Sequence, residues 1–590
     1  MNSQNGAEEK KISPNFSSAS KNPPDKPEDN FFIKGPSISL PKGGGALKNI
    51  DEKFEVNAAN GTATFSMPLP LSKGRNNLQP ELSLTYNSGS GNSIFGLGWN
   101  VSYASIQRKT DKQMPRYFDN DQSDVFMFTG VEDLVPALEQ DNFSNWNAID
   151  FTALTGERVK RYRPRIESGF HRIERITPKN SKIFYWKVTT SKNVVTIFGR
   201  SISARIVDPQ NENKIFKWLP ELSFDDQGNC MEYEYVQEDL INVPQQLHEQ
   251  NRLNQNAKFA NTYLKRIKYA NNNPYKFDTT KPYAPNTPVN PDYLFETVFD
   301  FGDHDENVPT PAIQNDWLCR IDPFSDYHAG FEIRTYRLCR RVLFFHYFKE
   351  LKDGETNAPT LVRSLDIGYR YFNNPSATVN EKRNAETDFI IQIKQTGYKK
   401  SGNAYTKKYL PPVEFGYQEL KWDNTIKNIS AENLVNAPIG LGQNYQWLDL
   451  WNEGISGIFT EQANGWFYKT NLGNGNFTEA QPVIPKPSFT GMSGGQLQLQ
   501  DLEADGRKFI VSLQGNAKGY FELSDDYVWE PFQSFVQLPD VNFNDANTKL
   551  IDLDGDGKAD LIISEENVFT WMIRNASLLL KREQKVKMQD

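Results

Sequence analysis

Asp449-Leu-Trp-Asn-Glu-Gly454, Asp501-Leu-Glu-Ala-Asp-Gly506 and Asp552-Leu-Asp-Gly-Asp-Gly557 align on their first aspartate, 52 and 51 residues apart. A second landmark follows each at a similar distance: Gly465-Trp-Phe-Tyr468, Gly519-Tyr-Phe-Glu522 and Val568-Phe-Thr-Trp571. Aromatic and β-branched residues of this kind suit strands. A fixed period near fifty is that of a four-stranded propeller blade, so the repeat predicts blades over 431–590. A closed ring takes about four to eight blades. The set is therefore incomplete, and the N-terminal half, a partner chain or further sequence has to cover its open end.

The third copy carries metal chemistry. In Asp552-Leu-Asp-Gly-Asp-Gly-Lys-Ala-Asp560, carboxylates stand at loop positions 1, 3, 5 and 9: Asp552, Asp554, Asp556 and Asp560. Gly557 at position 6 permits a sharp turn, which brings the Lys558 carbonyl at position 7 towards the same point. Oxygen-only donors with several carboxylates suit Ca²⁺ at about 2.3–2.6 Å. An EF-hand needs Glu at position 12, where Ile563 stands, and the flanks 548–551 and 561–564 read as strands. The loop resembles the calcium loops of FG-GAP/VCBS-type propeller repeats, which implies a structural Ca²⁺. The residues alone leave a merely acidic turn open. Asp501, Glu503 and Asp505 keep three acids, but Phe509 replaces the last. The first copy has Trp451 and Gly457 at positions 3 and 9 and is expected to hold no metal.

Outward from the repeats, 590 residues suggest about three to four domains. Lys and Arg number 66 against 74 Asp and Glu, a net charge of −8 that argues against a dedicated nucleic-acid surface. Aromatics at 13% favour sheet, and three cysteines without a CxxC pair exclude a disulfide framework. Residues 1–35 are poor in apolar side chains and read as a disordered tail. No short apolar run follows a basic start and no run of 18 apolar residues occurs. The expectation is synthesis in the cytoplasm and release by a non-Sec route.

From Gly61 the chain alternates with period 2, as in Thr-Ala-Thr-Phe-Ser-Met (62–67) and Glu-Leu-Ser-Leu-Thr-Tyr (81–86). Further strands are expected at 183–188, 194–199, 216–224, 231–235 and 295–301, with one helix candidate over 245–256. The glycine-rich stretch 87–99 lacks a following Lys-Ser/Thr and reads as a tight loop around Phe95 and Trp99, not as a phosphate cradle. The fold class is all-β: a large sheet domain over 36–350, a β-rich connection over 351–430, and the blades.

Ser39-Leu-Pro-Lys-Gly-Gly-Gly-Ala-Leu47, Met67-Pro-Leu-Pro-Leu71 and Ile94-Phe-Gly-Leu-Gly-Trp99 open a series of motifs. It continues through Arg161-Tyr-Arg-Pro-Arg-Ile-Glu167 and Arg205-Ile-Val-Asp-Pro209. It is densest at Trp317-Leu-Cys-Arg-Ile-Asp-Pro-Phe-Ser325 and Gly330-Phe-Glu-Ile-Arg-Thr-Tyr-Arg-Leu-Cys-Arg340. Over roughly 36–350 the chain resembles the SpvB/TcaC-type domain that begins virulence proteins and the B subunits of insecticidal toxin complexes. In those B subunits the domain precedes a propeller and a long RHS-repeat shell. The resemblance implies docking on a pore-forming A subunit and enclosure of a C-subunit cargo. This sequence reaches Asp590 without RHS repeats, so the expectation is a split or docking piece if 590 is the natural length, and a truncation if a downstream frame continues it.

The resemblance also raises a mono-ADP-ribosyltransferase, whose signature joins an Arg, a Ser-Thr-Ser strand and a Glu-x-Glu. Glu232-Tyr-Glu234 and the upstream Thr189-Thr-Ser191 are present, but alternation places both glutamates on one strand face, which a solvated surface explains. Histidines 171, 248, 304, 328 and 346 have no metal-ligand spacing, although His304, Asp305 and His328 could meet in space. Cys319 and Cys339 read as buried structural thiols. No catalytic residue is assigned. The leading expectation is a non-enzymatic toxin-complex component that binds pore-forming A-type and RHS-containing B/C-type proteins. The alternative is a calcium-dependent secreted or surface adhesion module.

Overall fold

The computed structural model describes residues 62–348, 359–370, 387–417, 425–435 and 445–587, together with the strand Lys53–Val56. Short breaks fall at 112–113, 120–122, 129–132, 143, 168, 403, 452, 463–464, 484–496, 503–506, 514–516, 525–527, 536–537, 539–540, 544, 554–557, 566–567 and 575–579. The expected tail at 1–35 lies outside the described residues.

The molecule is mostly β. Alternating apolar and polar residues, broken by Asn, Gly and Pro, make strands that bury one face and turn back on their neighbours, although Tyr185–Thr189 and Phe509–Ser512 are buried on both faces and Leu138–Gln140 on neither. One antiparallel path runs through Arg158–Pro164, Arg172–Thr177, Tyr185–Thr189, Val195–Phe198, Pro220–Phe224 and Cys230–Gln237. It continues through Thr262–Asn271, Tyr293–Asp300, Arg341–His346, Thr360–Tyr369, Ile390–Ser401 and Ala404–Tyr409. Among the described residues the α-helix is the single short Gln250–Asn254, continuing a 3-10 turn at Leu247–Glu249, inside the stretch expected to be helical.

The segment 216–224, read from sequence as one strand, is two. Asn211–Trp218 pairs with Arg205–Asp208 and Ile106–Arg108, whereas Pro220–Phe224 pairs with Val195–Phe198. Pro220 has no N–H to continue the ladder, so the chain changes partners at Leu219. The Leu219 N–H donates to Ala204 O at 2.9 Å, and its carbonyl accepts from Gly199 N at 2.8 Å. Gly199 has φ +62, and a Cβ there would lie 2.4 Å from Trp218 Cδ1, so a side chain is excluded at this corner.

The glycine-rich stretch 87–99 is a plug, as its aromatics foretold: Phe95 and Trp99 are each 1% exposed. They belong to the main core with Phe65, Leu84, Ile267, Val342, Leu365 and Ile393. Phe415 packs edge-on against Phe65 and Trp99, and Trp99 Nε1 donates to the Tyr417 hydroxyl at 2.7 Å. Packing therefore carries this unit across the boundary expected at residue 350, as far as residue 417.

Beyond it stand three four-stranded antiparallel sheets. They are Tyr445–Leu448, Gly457–Gln462, Gly465–Lys469 and Gln481–Pro482; then Leu497–Gln500, Phe509–Ser512, Gly519–Glu522 and Gln533–Ser534; then Thr548–Ile551, Asp560–Glu565, Val568–Arg574 and Leu580–Lys587. The first two share a core in which Phe459, Trp466 and Tyr468 meet Leu497, Ile510 and Phe521. The opposite face of the second, Phe509, Val511 and Tyr520, has Leu550 of the third packed against it.

Candidate functional site: acidic loops and a buried arginine network

Each acidic motif joins the first and second strands of its own sheet, so the repeat places the same loop in three copies. In the first, the Asp449 carboxylate is engaged by its own loop: Glu453 N donates to Oδ1 at 2.8 Å and Gly454 N to Oδ2 at 2.7 Å. Position 9 is Gly457, where a Cβ would lie 2.4 Å from Tyr468 Oη and 2.5 Å from Lys469 O. No carboxylate fits there. In the second loop, position 9 is Phe509, buried edge-to-face on Tyr520.

In the third loop, position 9 is Asp560, which is fully buried, and its Oδ2 accepts the Leu553 N–H at 3.0 Å. Ile551 pairs with Asp560, so the loop closes at its neck. Asp552 is exposed and Lys558 half-exposed. Asp554 and Asp556 fall outside the described residues, as do Glu503 and Asp505. Among the described residues, no cluster of three or more His, Cys, Asp or Glu side chains gathers.

The Glu-x-Glu pair lies on Cys230–Gln237 opposite Thr262–Asn271. Glu234 is exposed and forms ion pairs with Lys268 (2.6 Å) and Arg266 (3.2 Å). Glu232 departs from the expected solvated face. It is half-buried, it accepts the Tyr293 hydroxyl at 2.8 Å, and burial pushes its carboxyl above the usual range. Tyr293 comes from a strand sixty-one residues later and also lies 3.3 Å from Cys230 Sγ. All three thiols are free; burial pushes Cys230 and Cys319 to about 11 and Cys339 well above its ordinary value. His304 is buried against the Thr310 carbonyl and Asp303, while His328 is exposed and bonds Asp326, so the two have different partners.

The densest motifs build a buried ionic network that spacing alone did not reveal. Arg337 has no solvent exposure, and its Nε donates to Glu238 Oε1 at 2.8 Å. Its other nitrogens reach Ile241 O, Asp239 O and Asp239 Oδ1 at 2.7–2.9 Å, and its guanidinium lies 4.3 Å from the centre of the Trp317 ring. Glu238 also accepts the Tyr336 and Asp239 N–H groups and the Tyr263 hydroxyl. Glu249 takes Arg334, Arg252 and the Tyr336 hydroxyl, and Arg320 pairs with Asp322 at 2.8 Å. Each charge meets an opposite charge, which is the condition for burying such groups, while the buried Nε of Arg334 has no partner among the described residues. Arginines inside a motif that also carries Trp and Tyr were the available signal. Their acids lie up to 99 residues away.

Residues 57–348 match the family model described as Salmonella virulence plasmid 65kDa B protein. The mono(ADP-ribosyl)transferases SpvB of Salmonella choleraesuis and Salmonella typhimurium are each 36% identical, over 343 and 342 residues, covering 56% of this chain and 54% of theirs. The chain thus spans about half the length of the curated relatives it matches, and the match covers the SpvB domain but not the transferase part. Among solved structures, the Photorhabdus luminescens Tc holotoxin pore is similar at a TM-score of 0.74 and 30% identity, over 95% of this chain and 25% of that one. The TcdB2–TccC3 structure gives 0.62 and 25% identity, over 94% and 31%.

Proposed function

We propose, on the premise that residues 57–348 are an SpvB domain, that the chain is a non-enzymatic, B-subunit-like part of a toxin complex that acts by binding other proteins. The observation carrying this reading is that likeness to a Tc holotoxin component extends over 95% of the chain, well past the SpvB domain. The partners are a pore-forming A-type protein and RHS-containing B/C-type proteins. The three four-stranded sheets, repeating at the period of the acidic motifs and packed in succession, act as propeller blades. Release follows a non-Sec route.

Ca²⁺ belongs in the third acidic loop, held by Asp552, Asp554, Asp556, the Lys558 carbonyl and Asp560. Two features support the fit: the buried Asp560 carboxylate and the paired neck at Ile551 and Asp560. The ion supplies loop rigidity when bound. Asp560 fixes the neck through Leu553 N–H, and Asp552 supplies an exposed carboxylate at the loop entrance.

The test is co-purification of the full chain with an A-type pore protein and with an RHS-containing B/C protein, in calcium-replete buffer and at moderate salt. Stable co-elution with both is expected. Failure with both overturns the reading. NAD-dependent labelling of a target protein by the purified chain would overturn the non-enzymatic part.

A further inference from the structure

A cavity of about 570 Å³ opens between the strand Asn211–Trp218, the loop around Tyr103 and the small hairpin of Phe324–Asp326 and Ile333–Thr335. Two of its lining groups are unusual. Lys217 sits mid-sheet, in register with Gln107 on one side and Ile206 on the other, and is flanked in sequence by the buried Phe216 and Trp218. Its side chain makes no ion pair or hydrogen bond with any described residue, and the surface it retains faces the cavity. Tyr103, half-buried on the same cavity, likewise has no hydrogen-bond partner among the described residues.

An ammonium held in such surroundings without an anion is disfavoured, since its partial removal from bulk water is not offset by a paired charge. Other buried cations are answered by an acid, as at Lys265–Asp303 and Arg337–Glu238, and the buried Arg175 lies over the Phe184 ring. Lys217 has neither an acid nor a ring among its described partners. The carboxylate among the cavity's lining residues is Asp326, at the half-exposed mouth, where His328 N and Nδ1 already engage it at 2.8 and 2.6 Å. Burial alone pushes the Lys217 ammonium down and the Tyr103 phenol up, so neither has a compensating charge nearby. The remaining walls include Ile206, Phe216, Leu219 and Ile333, which suit an aliphatic body.

We propose that this cavity is a binding site for a small organic carboxylate: Lys217 neutralises the carboxylate, Tyr103 donates to it, and the aliphatic walls cover its chain. A cation paired with an anion, beside apolar walls and polar groups such as Asn261 and Thr262, is a composition that suits a small polar-headed ligand. The proposal is independent of the toxin-complex reading.

The test is calorimetric titration of the full chain with sodium hexanoate, with hexylammonium chloride and 1-hexanol as probes of the same chain without the negative charge. Hexanoate is expected to bind saturably and the other two at least tenfold more weakly. Lys217→Met, which keeps the length of the stem, is expected to lose at least tenfold; Lys217→Arg is expected to retain binding. Tyr103→Phe is expected to lose roughly three- to tenfold, which keeps the test open if Lys217→Met does not fold. No saturable hexanoate binding, equal binding of hexanoate and hexanol, or an undiminished Lys217→Met would each overturn the proposal.

Discussion

Arg337→Met removes a guanidinium with no solvent exposure and leaves Glu238, itself without exposure, short of its only counter-charge among the described residues. Methionine fills much of the stem volume and keeps contact with Trp317, so the loss is mainly electrostatic. Breaking a buried pair by removing one partner costs about 3–5 kcal/mol. For a unit of some three hundred residues that corresponds to a fall in melting temperature of roughly 5–10 °C. Burial already pushes the Glu238 carboxyl up, against the opposing pull of Arg337 and its hydrogen bonds. In the variant the opposing charge is gone and the folded-state pKa rises further above that of the unfolded chain. Protons then bind the folded form more tightly, so acid favours it, and the deficit relative to the parent shrinks as the pH falls from neutral towards the ordinary carboxylate range. The assay is calorimetric melting of parent and variant across that range, with intrinsic tryptophan fluorescence as a second probe. A deficit under about 1 kcal/mol, or one that grows on acidification, would refute the argument that Glu238 is held charged by Arg337.

Removing calcium with EGTA is expected to lower the melting temperature of the C-terminal sheets; Asp554→Ala and Asp560→Ala should abolish that effect, and an EGTA-insensitive parent would sink the metal assignment. Gly457→Ala drives a Cβ towards Tyr468 Oη and should cost about 1–3 kcal/mol, read as earlier melting of the same sheets, whereas a neutral result would mean that the tyrosine moves aside freely. Glu232→Gln with Glu234→Gln should leave partner binding intact, checked by co-purification. Burial lowers the pKa of His304, so the unfolded chain takes up its proton first and stability contributed there is lost as the pH falls below about 6.5. His304→Asn, which can still donate to Thr310 O, should flatten that acid limb in a melting-temperature profile; an unchanged limb would place the acid sensitivity elsewhere.

What could be read from sequence was whatever rests on local spacing. The Asp/Gly motifs and the aromatics behind them located three repeating sheets, and the strand Thr548–Ile551 lies where alternation put it. Phe95 and Trp99 announced a plug because glycines around large aromatics leave the chain free to bend over them. The break at Leu219 was missed because periodicity reports faces and not partners, and only the change of neighbour reveals that Pro220 starts a new strand. Glu232 was misplaced for a related reason: the tyrosine that covers it arrives from another strand. The acids answering Arg337 and Arg334 come from the chain just past the strand Cys230–Gln237 and from a 3-10 turn, 99 and 85 residues away, which no local pattern encodes. Lys217 stands in sequence between Phe216 and Trp218, and its isolation is a property of the packed cavity.

The hydrogen bond from Trp99 to Tyr417 spans 318 residues of chain. On a ribosome adding about 5–20 residues per second, roughly 15–65 s pass between the synthesis of one partner and the other. Through that interval Phe65, Trp99 and the strands around them have no Phe415 to close over their aromatic face. The nascent chain therefore carries an open aromatic surface for about half of its own synthesis, a window in which aggregation competes with folding.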